Sequence, residues 1–260
     1  MFAEPTVTEI VYEIPDETQT KMLRDHFTFS FSHGSDGLFE FKGNTWRALS
    51  NIPEHSCNVI SGYPEEDIDT ACKFFGDMPF IWIFDGDVSP AFKEKLLIQG
   101  FHDAGIFRGV IGALDLEIDT PDVPDGCTLE LVTSYAAMEE FAEIACTVFN
   151  MNNLAGELYK KSLWEDSEML HWIGRKGGKA VSVVSTLIQG ELVSFWNGAS
   201  LPEVRCQGIN TALRKLALKT AIAKGCRIGA SYLNPERMAF GICSKLGYQT
   251  KWQYHAFASP

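Results

Sequence analysis

The chain has 260 residues, 45% hydrophobic and 22% charged, with 18 phenylalanines; this is the composition of a folded polymer with one large or two ordinary cores, not of a disordered one. Its formal net charge of −12 repels phosphate backbones and anionic bilayers, which argues against nucleic acid and membrane surfaces as partners and suits a cationic substrate such as an amine. No stretch approaches the roughly 18 uninterrupted apolar residues of a membrane span, and the acidic start MFAEPTVTEI lacks the pattern of a signal peptide.

In chain order, the first half predicts a helix over Glu17–Phe27, strands in LFEFKG and CNVIS, and a helix over Glu65–Phe75. A strand at FIWIF and a helix over Pro90–Gln99 follow, and the half ends in GFHDAGIFRGVIGALDL. The stretch EIDTPDVPDG then combines two prolines, four acids and a glycine between hydrophobic segments, and reads as a linker or crossing strand. It divides the chain into 1–116, a linker at 117–126, and 127–260, each flanking part an ordinary domain size.

The second half opens with the alternating strand TLELVT. Ser134 N-caps a helix to about Phe149, with Met138, Phe141, Ala142, Ala145 and Val148 on one face. Gly156–Glu168 is compatible with a helix. Three strand-like runs follow, LHWIGR, AVSVVSTLI and ELVSFWNGASL, separated by Gly177-Gly178 and Gln189-Gly190 at hairpin positions. A helix from near Ile209 carries the stripe Ala212, Leu213, Leu216, Ala217 and Ala221 and stops at Gly225. RIGASYL is the next strand, Pro235–Leu246 the last helix, and YQTKWQYHAF one long strand or two short ones. Strand–helix–strand units give parallel pairing and hairpins antiparallel pairing, so a mixed α/β sheet with helices on both faces is expected. KLLIQGF, residues 95–101, echoes ICSKLGY, residues 242–248, as a weak internal duplication.

Seven cysteines without a CxxC pair or zinc-ligand spacing imply free thiols, a reducing compartment (the cytoplasm) and no metal. His26, His33, His55, His102 and His255 are scattered without helical metal-ligand spacing, and neither a GxSxG elbow nor a GxxxxGK[ST] loop occurs.

The chemistry concentrates in ASLPEVRCQGINTAL, residues 199–213. A strand runs into Pro202, a tight turn containing Gly208, and a long helix. The first amides of a helix have no internal acceptor and carry the positive end of its dipole, and a glycine lets an anion approach the backbone closely. Arg205 adds a charge-assisted contact. These residues suit a phosphate or pyrophosphate; an ordinary strand–turn–helix with a surface arginine has the same outline.

LPEVRCQGINTALRKLALKTAIAKG resembles the cofactor-binding segment of the GNAT superfamily of N-acyltransferases, whose pattern is Arg or Gln, two residues, Gly, one residue, then Gly or Ala. Arg205 and Gly208 match; Asn210 stands where a small residue is usual and narrows the approach to a phosphate. SYLNPERMAFGICSKLGY resembles the family's later strand, Asn and helix. The resemblance covers most of 127–260, and the first half resembles the degenerate first domain of tandem members.

It implies an acyl-CoA N-acyltransferase fold of two tandem halves, with acetyl-CoA as co-substrate and an amine of a small molecule or peptide as acceptor, in a monomer or homodimer. It also implies cofactor contacts from the backbone of Ala199, Ser200 and Leu201, from the segment Arg205, Cys206, Gln207, Gly208, Ile209, Asn210 and Thr211, and from Asn234 near the pantetheine arm. The tyrosine that usually protonates the leaving thiolate falls on Cys243, a candidate acid or a small helix residue. Glu191, Glu165, Glu168 and His171 are candidate bases. Trp196, Asn197 and Tyr232 either line the acceptor cleft or pack in the sheet. The absent tyrosine and Asn210 also fit a second reading, an inactive acyl-CoA-binding sensor, and a longer-chain acyl donor is a third.

Overall fold

The structure, a computed structural model, describes residues 14–33, 38–42, 45–50, 52–62, 68–115, 117–151, 155–158, 168–236, 238–245 and 247–260. It comprises two compact units: one is built on Gly112–Ala230, the other on Asp16–Ile111 with Ser231–Pro260.

The unit holding Asp16–Ile111 begins with helix α1, Asp16–His33, which runs past the predicted end at Phe27. Its extension contains Ser30 and Ser32, whose hydroxyls donate to the carbonyls of Phe27 and Phe29, and the ring of Phe31 packs against Trp46 at 5.5 Å. Tertiary packing therefore continues a helix that local propensity leaves marginal. Strand β1 (Leu38–Lys42) pairs with β2 (Thr45–Leu49), which in turn pairs with β3 (Val59–Ser61). Sequence reading missed β2, yet Trp46 and Ala48 alternate inward on it. Helix α2 (Ile68–Phe75), β4 (Ile81–Asp85), α3 (Pro90–Ile98) and β5 (His102–Ala113) follow. Ser89 caps α3 through Phe92 N, with Pro90 at its start, where a missing N–H costs nothing. Phe75, Phe80, Trp82, Phe84, Phe92, Leu96, Phe101 and Phe257 form this unit's core.

The unit on Gly112–Ala230 contains β6 (Cys127–Leu131), α4 (Tyr135–Phe149), α5 (Ala155–Leu158), β7 (Met169–Lys176), β8 (Lys179–Gln189), β9 (Leu192–Ser200), α6 (Ile209–Ala223) and the first half of β10 (Ile228–Leu233). The predicted cap is present: Ser134 accepts from Ala137 N, and Met138, Phe141, Ala142 and Ala145 are buried. Among Gly156–Glu168, residues 159–167 lie outside the described residues. The strand order is β10-β9-β8-β7-β6, antiparallel except for the parallel β9/β10 pair. Helices α4 and α6 both pack on the strands β7, β8 and β9. Gly174 permits the close approach of α6, because a Cβ there would stand 2.6 Å from Ile209 Cγ2.

The chain then adds helix α7 (Met238–Lys245) and strand β11 (Gln249–Ala258) to the other unit. There β11 inserts between β4 and β5, antiparallel to both, giving the order β1-β2-β3-β4-β11-β5. YQTKWQYHAF is thus one strand, and both its edges are satisfied inside the sheet. The two echoing strings close their helices identically. Gly100 N and Phe101 N donate to Leu97 O and Leu96 O, while Gly247 N and Tyr248 N donate to Ser244 O and Cys243 O, all at 3.0–3.1 Å. Both glycines have positive φ, 86° and 81°, which lets the helix end in the left-handed cap.

All seven cysteines are free thiols. Among the described residues no helix is long and apolar enough to cross a membrane, and no group of three His, Cys, Asp or Glu side chains is placed to hold a metal.

Candidate functional site

Among the described residues, the turn after β9 leaves a run of amides without a backbone acceptor. Leu201 N is held by Val181 O at 3.0 Å, and a 3-10 turn over Pro202–Val204 sends Arg205 N to Pro202 O at 3.3 Å. The chain then passes through Cys206 at φ 61° and Gly208 at φ 81° before α6 begins. A left-handed conformation costs a non-glycine residue about 1 kcal/mol, so the strain at Cys206 is held by its surroundings. Alternating handedness turns successive N–H groups toward a common side, the geometry of an anion-binding concavity. Gly208 caps α6 without a side-chain hydrogen bond. Among the described residues, no acceptor meets the amides of Cys206, Gln207, Gly208, Ile209, Asn210 or Thr211.

Two cations border this turn. Arg205 Nε donates to Ser200 O at 3.2 Å, and Lys176 Nζ donates to Gln207 Oε1 at 2.6 Å while Gln207 Nε2 is fixed on Glu203 O at 2.9 Å. An anionic group is the ligand such a set of donors fits.

Asn210 differs from the expectation that it narrows the approach to a phosphate. Its side chain is turned into the sheet, where Nδ2 lies 3.1 Å from both Ser182 Oγ and Val183 O.

Strand β9 carries two irregularities. Its register with β10 ends at Ser194–Ala230, although β9 runs on to Ser200. Against β8, Val183 pairs with Ala199 and Ser185 with Trp196, so Asn197 and Gly198 together oppose Val184. This is a bulge, with Asn197 at φ 52°. The bulge breaks the alternation that would have sent Trp196 and Asn197 to opposite faces. Trp196 Nε1 donates to Ser194 Oγ at 2.6 Å, and Asn197 Nδ2 donates to Ser185 Oγ at 3.3 Å. Near the turn, Ala199 is buried with its carbonyl accepting from Ser182 Oγ, and Ser200 Oγ bonds Ser182 Oγ at 2.8 Å.

The candidate bases separate. His171 is buried, bonds Ser185 Oγ through Nδ1 at 2.9 Å, and meets the Phe141 ring edge-on at 4.9 Å. Glu191 is exposed at the far end of β9, where its carbonyl receives Arg227 N and Ile228 N. Glu168 is exposed just before β7, and Glu165 lies outside the described residues.

Asn234 and Cys243 belong to the unit of Asp16–Ile111 and Ser231–Pro260. Asn234 Oδ1 accepts from Glu236 N at 2.8 Å, and Cys243 is half-buried on α7. Burial pushes the Tyr248 phenol above its ordinary range. Tyr232 is a packing residue: its hydroxyl donates to Leu23 O at 2.8 Å and its ring meets Phe27 at 4.9 Å. Burial raises its phenol as well.

Comparison with solved structures places this arrangement. A GCN5-related N-acetyltransferase from Kribbella flavida superposes with a TM-score of 0.63 over 92% of this chain and 95% of that one, at 14% identity. The chain has the GNAT fold. A tandem GNAT protein from the clavulanic acid biosynthesis pathway matches with a TM-score of 0.57 over 83% of this chain and 78% of its own, at 12% identity. A conserved protein of unknown function from Staphylococcus epidermidis matches with a TM-score of 0.66 over 86% of this chain and 94% of its own, at 13% identity. No family model and no curated protein matches the sequence. The residues that sequence reading missed are Ser182, Lys176 and Arg214, along with the bulge itself. The Asn-Gly pair inside a strand-like run was the available signal for the bulge.

Proposed function

We propose that this chain is an N-acyltransferase that moves an acetyl group from acetyl-CoA to an amine of a small molecule or peptide. One observation carries the reading: among the described residues, six consecutive amides, Cys206 to Thr211, have no hydrogen-bond acceptor at the start of α6, beside Arg205 and Lys176. In this reading they hold the diphosphate, and the segment Ala199–Leu201 runs alongside the pantetheine arm. An acyl thioester supplies an activated carbonyl. A backbone amide of β9 receives the developing oxyanion. The acceptor amine, with an ordinary pKa near ~10.4, gives up its proton to a base or a water before attack. Asn234 and Cys243 keep the roles that the family resemblance implies, beside the pantetheine and as acid for the departing thiolate. In this reading 127–260 carries the transferase chemistry, although Ser231–Pro260 packs in the compact unit of Asp16–Ile111. The acidic surface favours a cationic acceptor.

The test is calorimetry with CoA and acetyl-CoA, followed by thiol release over a panel of amines. Binding with turnover supports the transferase. Binding without turnover on any amine supports the sensor, which the absence of a tyrosine at Cys243 favours. No heat with either ligand rejects both.

A further inference from the structure

We propose that Asn210 and Arg214 are positioning residues: together they clamp the bulge of β9 to α6 and so aim the β9 backbone for acyl transfer. This rests on the reading of β9 given above. Asn210 Nδ2 lies 3.1 Å from Ser182 Oγ and Val183 O and 3.5 Å from Ala199 O, which places it across the β8/β9 pair on one side of the bulge. Its Oδ1 accepts from Arg214 Nε at 3.0 Å, one helical turn later. The Arg214 guanidinium continues to the other side, where its carbon stands 4.9 Å from the Phe195 ring. Its Nη2 fills the space that a side chain at position 198 would occupy. Two residues of one helix, four apart, therefore touch Val183 and Ala199 on one side of the bulge, Phe195 on the other, and Gly198 within it.

A bulge re-aims the backbone beyond it, and its direction is only as fixed as the groups that hold it. The clamp accounts for the residues at positions 210 and 198. A small residue at 210 would leave the Val183 carbonyl and the Ser182 hydroxyl without their donor. Gly198 has no left-handed φ, so its backbone would accept alanine; Arg214 is what excludes a side chain there.

The experiment is a cycle of Gly198→Ala, Arg214→Ala and the double variant, with Asn210→Ala alongside. Activity with acetyl-CoA, CoA affinity and amide exchange of Phe195–Ser200 in the ligand-free protein are read for each. Gly198→Ala and Arg214→Ala should each lower kcat about tenfold, since small misplacements of reacting groups are costly. CoA affinity should stay within roughly twofold, the pattern of lost alignment, not lost binding. The double variant should be no worse than either single, because the alanine methyl harms only by displacing the guanidinium. Asn210→Ala should speed exchange at Phe195–Ser200. Multiplicative losses in the double variant would overturn the clamp. So would a lower melting temperature with kcat unchanged, which marks a purely structural contact. If the wild-type protein binds CoA but turns over no amine, the transferase reading fails alone, and the exchange measurements and the stability cycle still decide the clamp.

Discussion

Asn210 Nδ2 donates to Ser182 Oγ at 3.1 Å, and that hydroxyl donates onward to Ala199 O at 3.0 Å. Ser182 is fully buried and also receives Ser200 Oγ at 2.8 Å. One hydroxyl thus joins the start of α6 to two adjacent residues of β9. Ser182→Ala should remove about 1–3 kcal/mol of unfolding free energy, because it deletes the buried hydroxyl that Asn210 Nδ2, Ala199 O and Ser200 Oγ share. Urea unfolding measures it, and a loss near zero would mean that the network adjusts around the missing oxygen.

Gly208 stands at φ 81° with open space around it; the nearest atom to a Cβ there is Pro124 Cγ at 3.8 Å. Gly208→Val should leave the fold intact at a cost of about 1–2 kcal/mol for the strained φ and abolish CoA binding. Circular dichroism establishes the first and calorimetry the second. Wild-type affinity in that variant would remove the diphosphate assignment.

For Cys243 the decisive quantity is the pH profile. A thiol with a reference pKa near ~8.5 that protonates the leaving group should give a rate that falls as pH rises past its pKa. Cys243→Ala should lower kcat and erase that limb. An unchanged rate at every pH makes Cys243 a packing residue of α7.

Asp103 sets an acid limit on stability. Burial would raise its carboxyl pKa, but hydrogen bonds from Lys93, at 2.5 Å, and His255, at 2.7 Å, outweigh burial and hold it at about 2. The folded value lies below the ordinary 3.8. The stabilisation is therefore complete above about pH 4 and is lost as pH falls toward 2. Asp103→Asn should remove about 1–2 kcal/mol near neutral pH, after allowance for partial exposure. The gap between variant and wild type should close in that acid window. Urea midpoints at a series of pH values read it, and a gap independent of pH would show that the contact is not ionic.

Much of the fold was legible because its signals are local. Ser134, Gly177-Gly178 and the stripe on α6 each act within a few residues of themselves, and each produced the element expected. Strand β2 was not legible, because Trp46 and Ala48 declare a strand only once β1 and β3 lie on either side. The extension of α1 failed for the same reason: Phe31 needs Trp46 to hold it.

The sequence by itself determined the turn: Pro202, Gly208 and the apolar stripe after it dictate a strand, a break and a helix. Backbone geometry of that kind follows from neighbours along the chain. Only the tertiary structure decided where Asn210 points, that Gly198 makes room for Arg214, and that Ser231–Pro260 packs with Asp16–Ile111. Those outcomes depend on hydrogen bonds and close approaches between segments far apart in sequence, whose partners no local pattern names.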